Sequence, residues 1–158
     1  QLRAQFQFLN EHGISTEADM TAFVETAEAK INVLTKQRTI LNVQKKKRQP
    51  QFQALTDEEV LAPAKRLYDQ GHSGMETEAQ QYLDAVTLLD SCGESREALS
   101  QQQSELYTKL ADLNRELRQV RKQLKMCEEI REQAAAMQEN IREIEHPELE
   151  VKNHDKQR

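Results

Sequence analysis

The chain has no Trp, four Phe and three Tyr in 158 residues, too little aromatic mass to fill a thick globular core. Its four Gly and three Pro leave few places to turn, so the segments between them must be long. No run approaches the ~20 apolar residues of a membrane span, and no signal-peptide pattern opens the chain. The two cysteines, Cys92 and Cys127, stand far apart and outside any CxxC pair. A disulfide framework and a zinc site therefore lack support, and a reducing, cytoplasmic setting fits best. His12, His72, His146 and His154 have no partner at HxH or HExxH spacing, and GxSxG, P-loop and GxGxxG motifs are missing. No metal site, no cofactor and no catalytic residue is expected, and Tyr68, Tyr82 and Tyr107 read as core or boundary anchors beside apolar stripes.

What remains is rich in Gln, Glu, Lys and Arg, with a formal net charge of −5. That charge is modest, and the apolar residues recur with a helical period, which a solvated coil does not require. An ordered, non-catalytic, all-α segment is the reading. The expected architecture is two long antiparallel amphipathic helices, a coiled-coil-like hairpin, with a short two-helix insertion between them.

The opening run, residues 1–14, carries Leu2, Phe6 and Leu9 and reads as the end of a preceding helix in a longer protein. Gly13 can close it in the left-handed conformation while Ile14 packs back on Leu9. Residues 15–48 follow as the first long helix. Thr16 with Asp19 caps its start, and Met20, Val24, Ala27, Ile31, Leu34 and Leu41 form its stripe. Pro50 is expected to end it at about Lys47. Residues 49–94 read as the insertion: one helix capped by Thr56 and Glu59, kinked or restarted at Pro63 and stopped by Gly71, then a second carrying Tyr82, Leu83, Val86 and Leu89 and stopping near Gly93.

Residues 95–146 form the second long helix, with Ser95 as its cap. Its stripe reads Leu99, Leu106, Leu110, Leu113, Leu117, Val120, Leu124, Cys127, Ile130, Ala134, Met137, Ile141 and Ile144. The consecutive threes at Leu124, Cys127 and Ile130 are a stammer, marking overwinding or a change of partner. This helix outruns the first, so part of its stripe needs another partner. Pro147 ends it, and residues 147–158 are expected to be a disordered polar tail.

Charge is bipolar. Lys36 to Arg48 holds six bases and no acid, whereas 49–94 is strongly acidic. Lys45, Lys46, Lys47 and Arg48 can neutralise phosphates, as can Arg115, Arg118, Arg121, Lys122 and Lys125 on the last helix. The alternative is a solvated face whose bases favour a helix C-terminus. No aromatic residues interleave to stack on bases, so any DNA contact should be backbone-directed and salt-sensitive.

The segment Phe8-Leu9-Asn10-Glu11-His12-Gly13-Ile14-Ser15-Thr16-Glu17-Ala18-Asp19-Met20, continuing through Ala29-Lys30-Ile31-Asn32-Val33-Leu34 to the basic run, resembles the helical C-terminal region of relaxases. These are the mobilisation proteins of conjugative plasmids and transposons. Asp112-Leu113-Asn114-Arg115-Glu116-Leu117, Val120-Arg121-Lys122 and Cys127-Glu128-Glu129-Ile130 resemble the later helix of that region, while 49–94 has no counterpart in it. In that family the nicking domain, with its Tyr nucleophile and His-ligated metal, lies at the N-terminus. None of those motifs occurs here, so no catalytic residue carries over. The resemblance implies a role beside the chemistry: binding origin DNA, an accessory protein or the transfer machinery. The rival expectation is a structural scaffold that forms a homodimer through Leu106, Leu110, Leu113, Leu117, Val120 and Leu124.

Overall fold

A computed structural model describes residues 1–145, and the expected proline stop at Pro147, the polar tail, His146 and His154 lie outside the described residues. The described chain is all-α: α1 (Leu2–Glu11), α2 (Glu17–Asp69), α3 (Glu76–Ser91) and α4 (Arg96–Glu145). It divides into two units. The first takes Gln1–Val33 and the chain from Leu117 onward; the second is Leu34–Glu116.

In the first unit, Gly13 at φ +64° closes α1. The Ile14 N–H donates to the Leu9 carbonyl at 2.9 Å and the Gly13 N–H to that of Asn10 at 3.3 Å, the Schellman pair that the sequence predicts. The α2 cap also forms as predicted. The Asp19 N–H donates to Thr16 Oγ1 at 3.1 Å, and the Ser15 and Thr16 N–H groups donate to Asp19 Oδ2 at 3.0 and 3.1 Å. Those donors, Ser15 foremost and then Thr16, hold the Asp19 carboxyl below its usual range. A carboxyl lowered on folding stabilises the fold above the ordinary carboxylate range, and the contribution disappears as pH falls through the lowered value. Asp19→Asn should therefore shrink the loss of urea resistance between about pH 6 and about pH 3; an unchanged loss would detach the cap from acid sensitivity.

Ile14, Met20 and Cys127 form the buried centre of this unit, flanked by Phe8, Leu9, Phe23, Val24 and Ile130. Arg131 of α4 reaches Glu17 at 3.1 Å and Thr21 at 3.1 Å and so ties α4 to the start of α2 here. The stammer coincides with Cys127, where α4 meets the α1–α2 corner as well as α2 itself. Beyond it Met137, Ile141 and Ile144 stand exposed.

In the second unit α2 departs from its expected end. It runs through Pro50 and Pro63 to Asp69, so the first helix of the insertion is the continuation of α2, and α3 is the short helix between the two long ones. Both prolines lie on the solvent face. The carbonyls they leave unpaired, those of Lys46 and Glu59, belong to exposed residues that water can serve, while α2 is held by Phe52, packed on α4, and Ala54, packed on α3 and α4. Thr56 is accordingly no cap: its hydroxyl donates back to the Phe52 carbonyl at 3.3 Å within the helix. Gly71 does end α2, with His72 N–H donating to the Leu67 carbonyl at 3.0 Å. Ser95 caps α4 through a bond from the Ala98 N–H at 3.0 Å.

Two apolar clusters hold this unit. Phe52 packs with Leu106, Leu110 and the half-buried Leu41, and Ala54 packs with Ala85, Leu89 and Leu99. The order of the contacts, Arg38 to Asn114 and Glu58 to Arg96, makes α2 and α4 antiparallel. Leu106 and Leu110 here, and Leu117 and Val120 in the first unit, are buried within the chain. At Leu106 and Leu110 the expected dimer seam is met by Phe52 and Leu41 of α2 in the same chain.

Candidate nucleic-acid interface

The basic run of α2 lies in the second unit and is partly spent on structure. Lys45 places its ammonium 5.0 Å from the Tyr107 ring centroid, and that ring meets Phe52 edge-on at 6.3 Å. Lys45 is therefore in part a packing residue, its stem along apolar surface and its charge over the ring. Arg48 is held by Glu94 at 2.8 Å, the acidic insertion covering the end of the basic run. Lys46 and Lys47 remain exposed with no ion pair among the described residues. Lys47 borders an open hollow of about 460 Å³ together with Gln44, Arg48, Glu105 and Lys109, whose single carboxylate faces three cations.

The bases of α4 fall into two groups. Arg115 belongs to the second unit and sits 3.2 Å from Asp112; both are largely exposed, so the pair is weak but offsets the charge locally. Arg118, Arg121, Lys122 and Lys125 belong to the first unit, are all exposed, and have no ion-pair partner among the described residues. At ~100° per residue these four fall within an arc of roughly 100° on α4, centred well away from Val120 and Cys127 with Arg121 at the edge nearer Leu117, and they span roughly 10 Å of axis. Glu128 and Glu129 follow on the next turn and bound the ridge.

The structure separates the nine bases expected to contact DNA by availability. Arg48, Arg115 and Lys45 are engaged; Arg118, Arg121, Lys122 and Lys125 form the coherent face. The engagement of Lys45 by Tyr107 left no local signal, because the two residues are brought together only by the packing of Phe52.

Elsewhere, His12 closes α1 and packs between Phe8 and Phe23, with centroid distances of 4.6 and 5.0 Å. Among the described residues no group of three His, Cys, Asp or Glu is arranged to hold a metal ion, and no helix is long and apolar enough to cross a membrane. No protein-family model, curated protein or solved structure matches the chain.

Proposed function

We propose that this chain is a non-catalytic, cytoplasmic accessory module of a conjugative DNA relaxase, and that it grips origin DNA by its phosphates through Arg118, Arg121, Lys122 and Lys125. The relaxase assignment rests on the sequence resemblance. The DNA contact rests on one observation: four exposed cations on one face of α4, with no carboxylate partner among the described residues. A ridge of this length offers several phosphate contacts and no stacking surface, which suits backbone binding.

Neutralising about four phosphates gives a log–log salt slope of roughly −3.6, so affinity for a labelled duplex should fall on the order of 10²-fold from about 50 to about 200 mM salt. Replacing the four residues together by Gln should weaken low-salt binding and flatten the slope, whereas Lys46→Gln with Lys47→Gln should act less. Fluorescence anisotropy over a salt series measures both. Equal affinity of the fourfold variant and the unaltered chain at every salt concentration would remove the assignment.

A second reading, a coiled-coil scaffold with no nucleic-acid role, is favoured by the exposed stripe Met137, Ile141 and Ile144. No duplex binding at low salt, together with a dimeric mass, would select it.

A further inference from the structure

The acidic part of the second unit has a feature that DNA binding does not use. An open groove of about 900 Å³ lies among α2, α3 and α4. Leu55, Ala62, Tyr82 and Val86 line it, all half-buried, so apolar surface stays within reach of solvent. Its charged lining is three carboxylates, Glu58, Glu59 and Glu97, against one guanidinium, Arg96.

That guanidinium is already committed. Arg96 Nε and Nη2 donate to the two Glu58 oxygens at 2.7 Å each, and Nη2 donates to Asp90 at 3.1 Å. The Glu58 and Asp90 carboxylates hold Arg96 firmly protonated. Glu59 and Glu97 are exposed and have no ion-pair partner among the described residues. The groove therefore presents an apolar floor, a fixed Glu58–Arg96–Asp90 cluster of net charge −1, and two further unspent negative charges.

We propose that this groove is a docking site for a cationic amphipathic helix of a protein partner. Leu55 and Ala62 are seven residues apart on α2, roughly 10 Å or two helical turns, which matches the i to i+7 reach of the anchors by which a helix lies in a groove. Apolar anchors of such a partner cover Tyr82 and Val86, and Lys or Arg stems on its flanks bring their charges to Glu59 and Glu97. A nucleic acid is repelled by this lining, so the groove and the basic face of α4 are built for ligands of opposite charge.

The test uses the whole chain and a fluorescent Leu/Lys peptide with leucines at helical spacing, read by anisotropy. The peptide should bind, and Glu59→Lys with Glu97→Lys should weaken it about tenfold or more. Tyr82→Ala should weaken the binding that persists at high salt, which reports the apolar floor. Glu139→Lys with Glu143→Lys, in the other unit, should leave the affinity unchanged, as should the fourfold Gln variant on α4. Circular dichroism checks that each variant keeps its helix content. No binding of the peptide, or equal weakening by the two acid reversals, would overturn the proposal. A doubled mass abolished by Glu59→Lys with Glu97→Lys, without peptide binding, would overturn it in favour of a second copy.

Discussion

Phe52→Ala should cost the second unit about 3–5 kcal/mol, the range for removing a fully buried aromatic side chain. Phe52 is 2% exposed and sits on α2 against Leu106 and Leu110 of α4, with Leu41 beside it. With so few aromatic residues, no neighbouring large side chain is available to collapse into the space. The rest of the local core is Leu and Ala, and Tyr107 is tied at its edge to the Phe52 ring and at its face to Lys45. Since whole domains are stable by about 5–15 kcal/mol, this one truncation removes a large fraction of what holds α2 and α4 together here. Urea titration followed by circular dichroism should show a much lower midpoint, and Phe52→Leu, which keeps most of the volume, should lose far less. A loss below about 1 kcal/mol for Phe52→Ala would mean that the cluster does not carry this unit.

The contrast between Phe52 and the prolines on the same helix explains what the sequence made legible. Helix ends governed by residues a few positions apart were readable: Gly13 with Ile14, Thr16 with Asp19, Gly71, and Ser95 all act as their local chemistry requires. Pro50 sends an equally local signal, and it misleads: α2 runs on through it and through Pro63. A proline costs a helix one bond and some crowding, about 3 kcal/mol, but on the face of α2 turned to α4 and α3 Phe52 and Ala54 bury with a comparable return. Which side wins depends on whether α4 and α3 lie beneath that face, and no window of the sequence contains that fact.

The same limit governs the candidate site. Periodicity alone cannot say whether the Leu106–Leu124 stripe meets a second copy or its own α2. Only the fold places Phe52 and Leu41 on it. Charge composition marked Lys45 to Arg48 and Arg115 to Lys125 as equals. Tertiary pairing with Tyr107, Glu94 and Asp112 then separates them. The acidic groove was invisible as a groove, because Leu55, Tyr82 and Glu97 come from three different helices. What the sequence did carry was the bipolar charge, and that property links the two proposed binding surfaces: one end of the composition suits phosphates, the other suits a basic partner.

The two thiols should differ in alkylation rate by about 100-fold or more in the native protein, and each reports on its own unit. Cys127 is 1% exposed, and burial pushes its thiol up from the usual range, an effect that the nearby Arg131 only partly opposes. The thiolate is the nucleophile, so inaccessibility and a raised pKa act in the same direction and confine reaction to moments when Ile14 and Met20 part from it. Cys92 is half-buried at the end of α3, donating weakly to the Leu89 carbonyl, and meets reagent without such an opening. Native protein with iodoacetamide should yield a singly modified species, with Cys127 following slowly. In a Cys92→Ala background, Met20→Ala removes about 2–5 kcal/mol from the closed state of that cluster and should speed Cys127 labelling by a factor of about 30 to several thousand. Equal labelling of the two thiols in the unaltered chain would mean that the corner formed by α1, α2 and α4 stands open in solution. The basic face on α4 would then lack the rigid backing that holds Arg118, Arg121, Lys122 and Lys125 on one side, and their phosphate affinity would have to arise from a mobile helix instead.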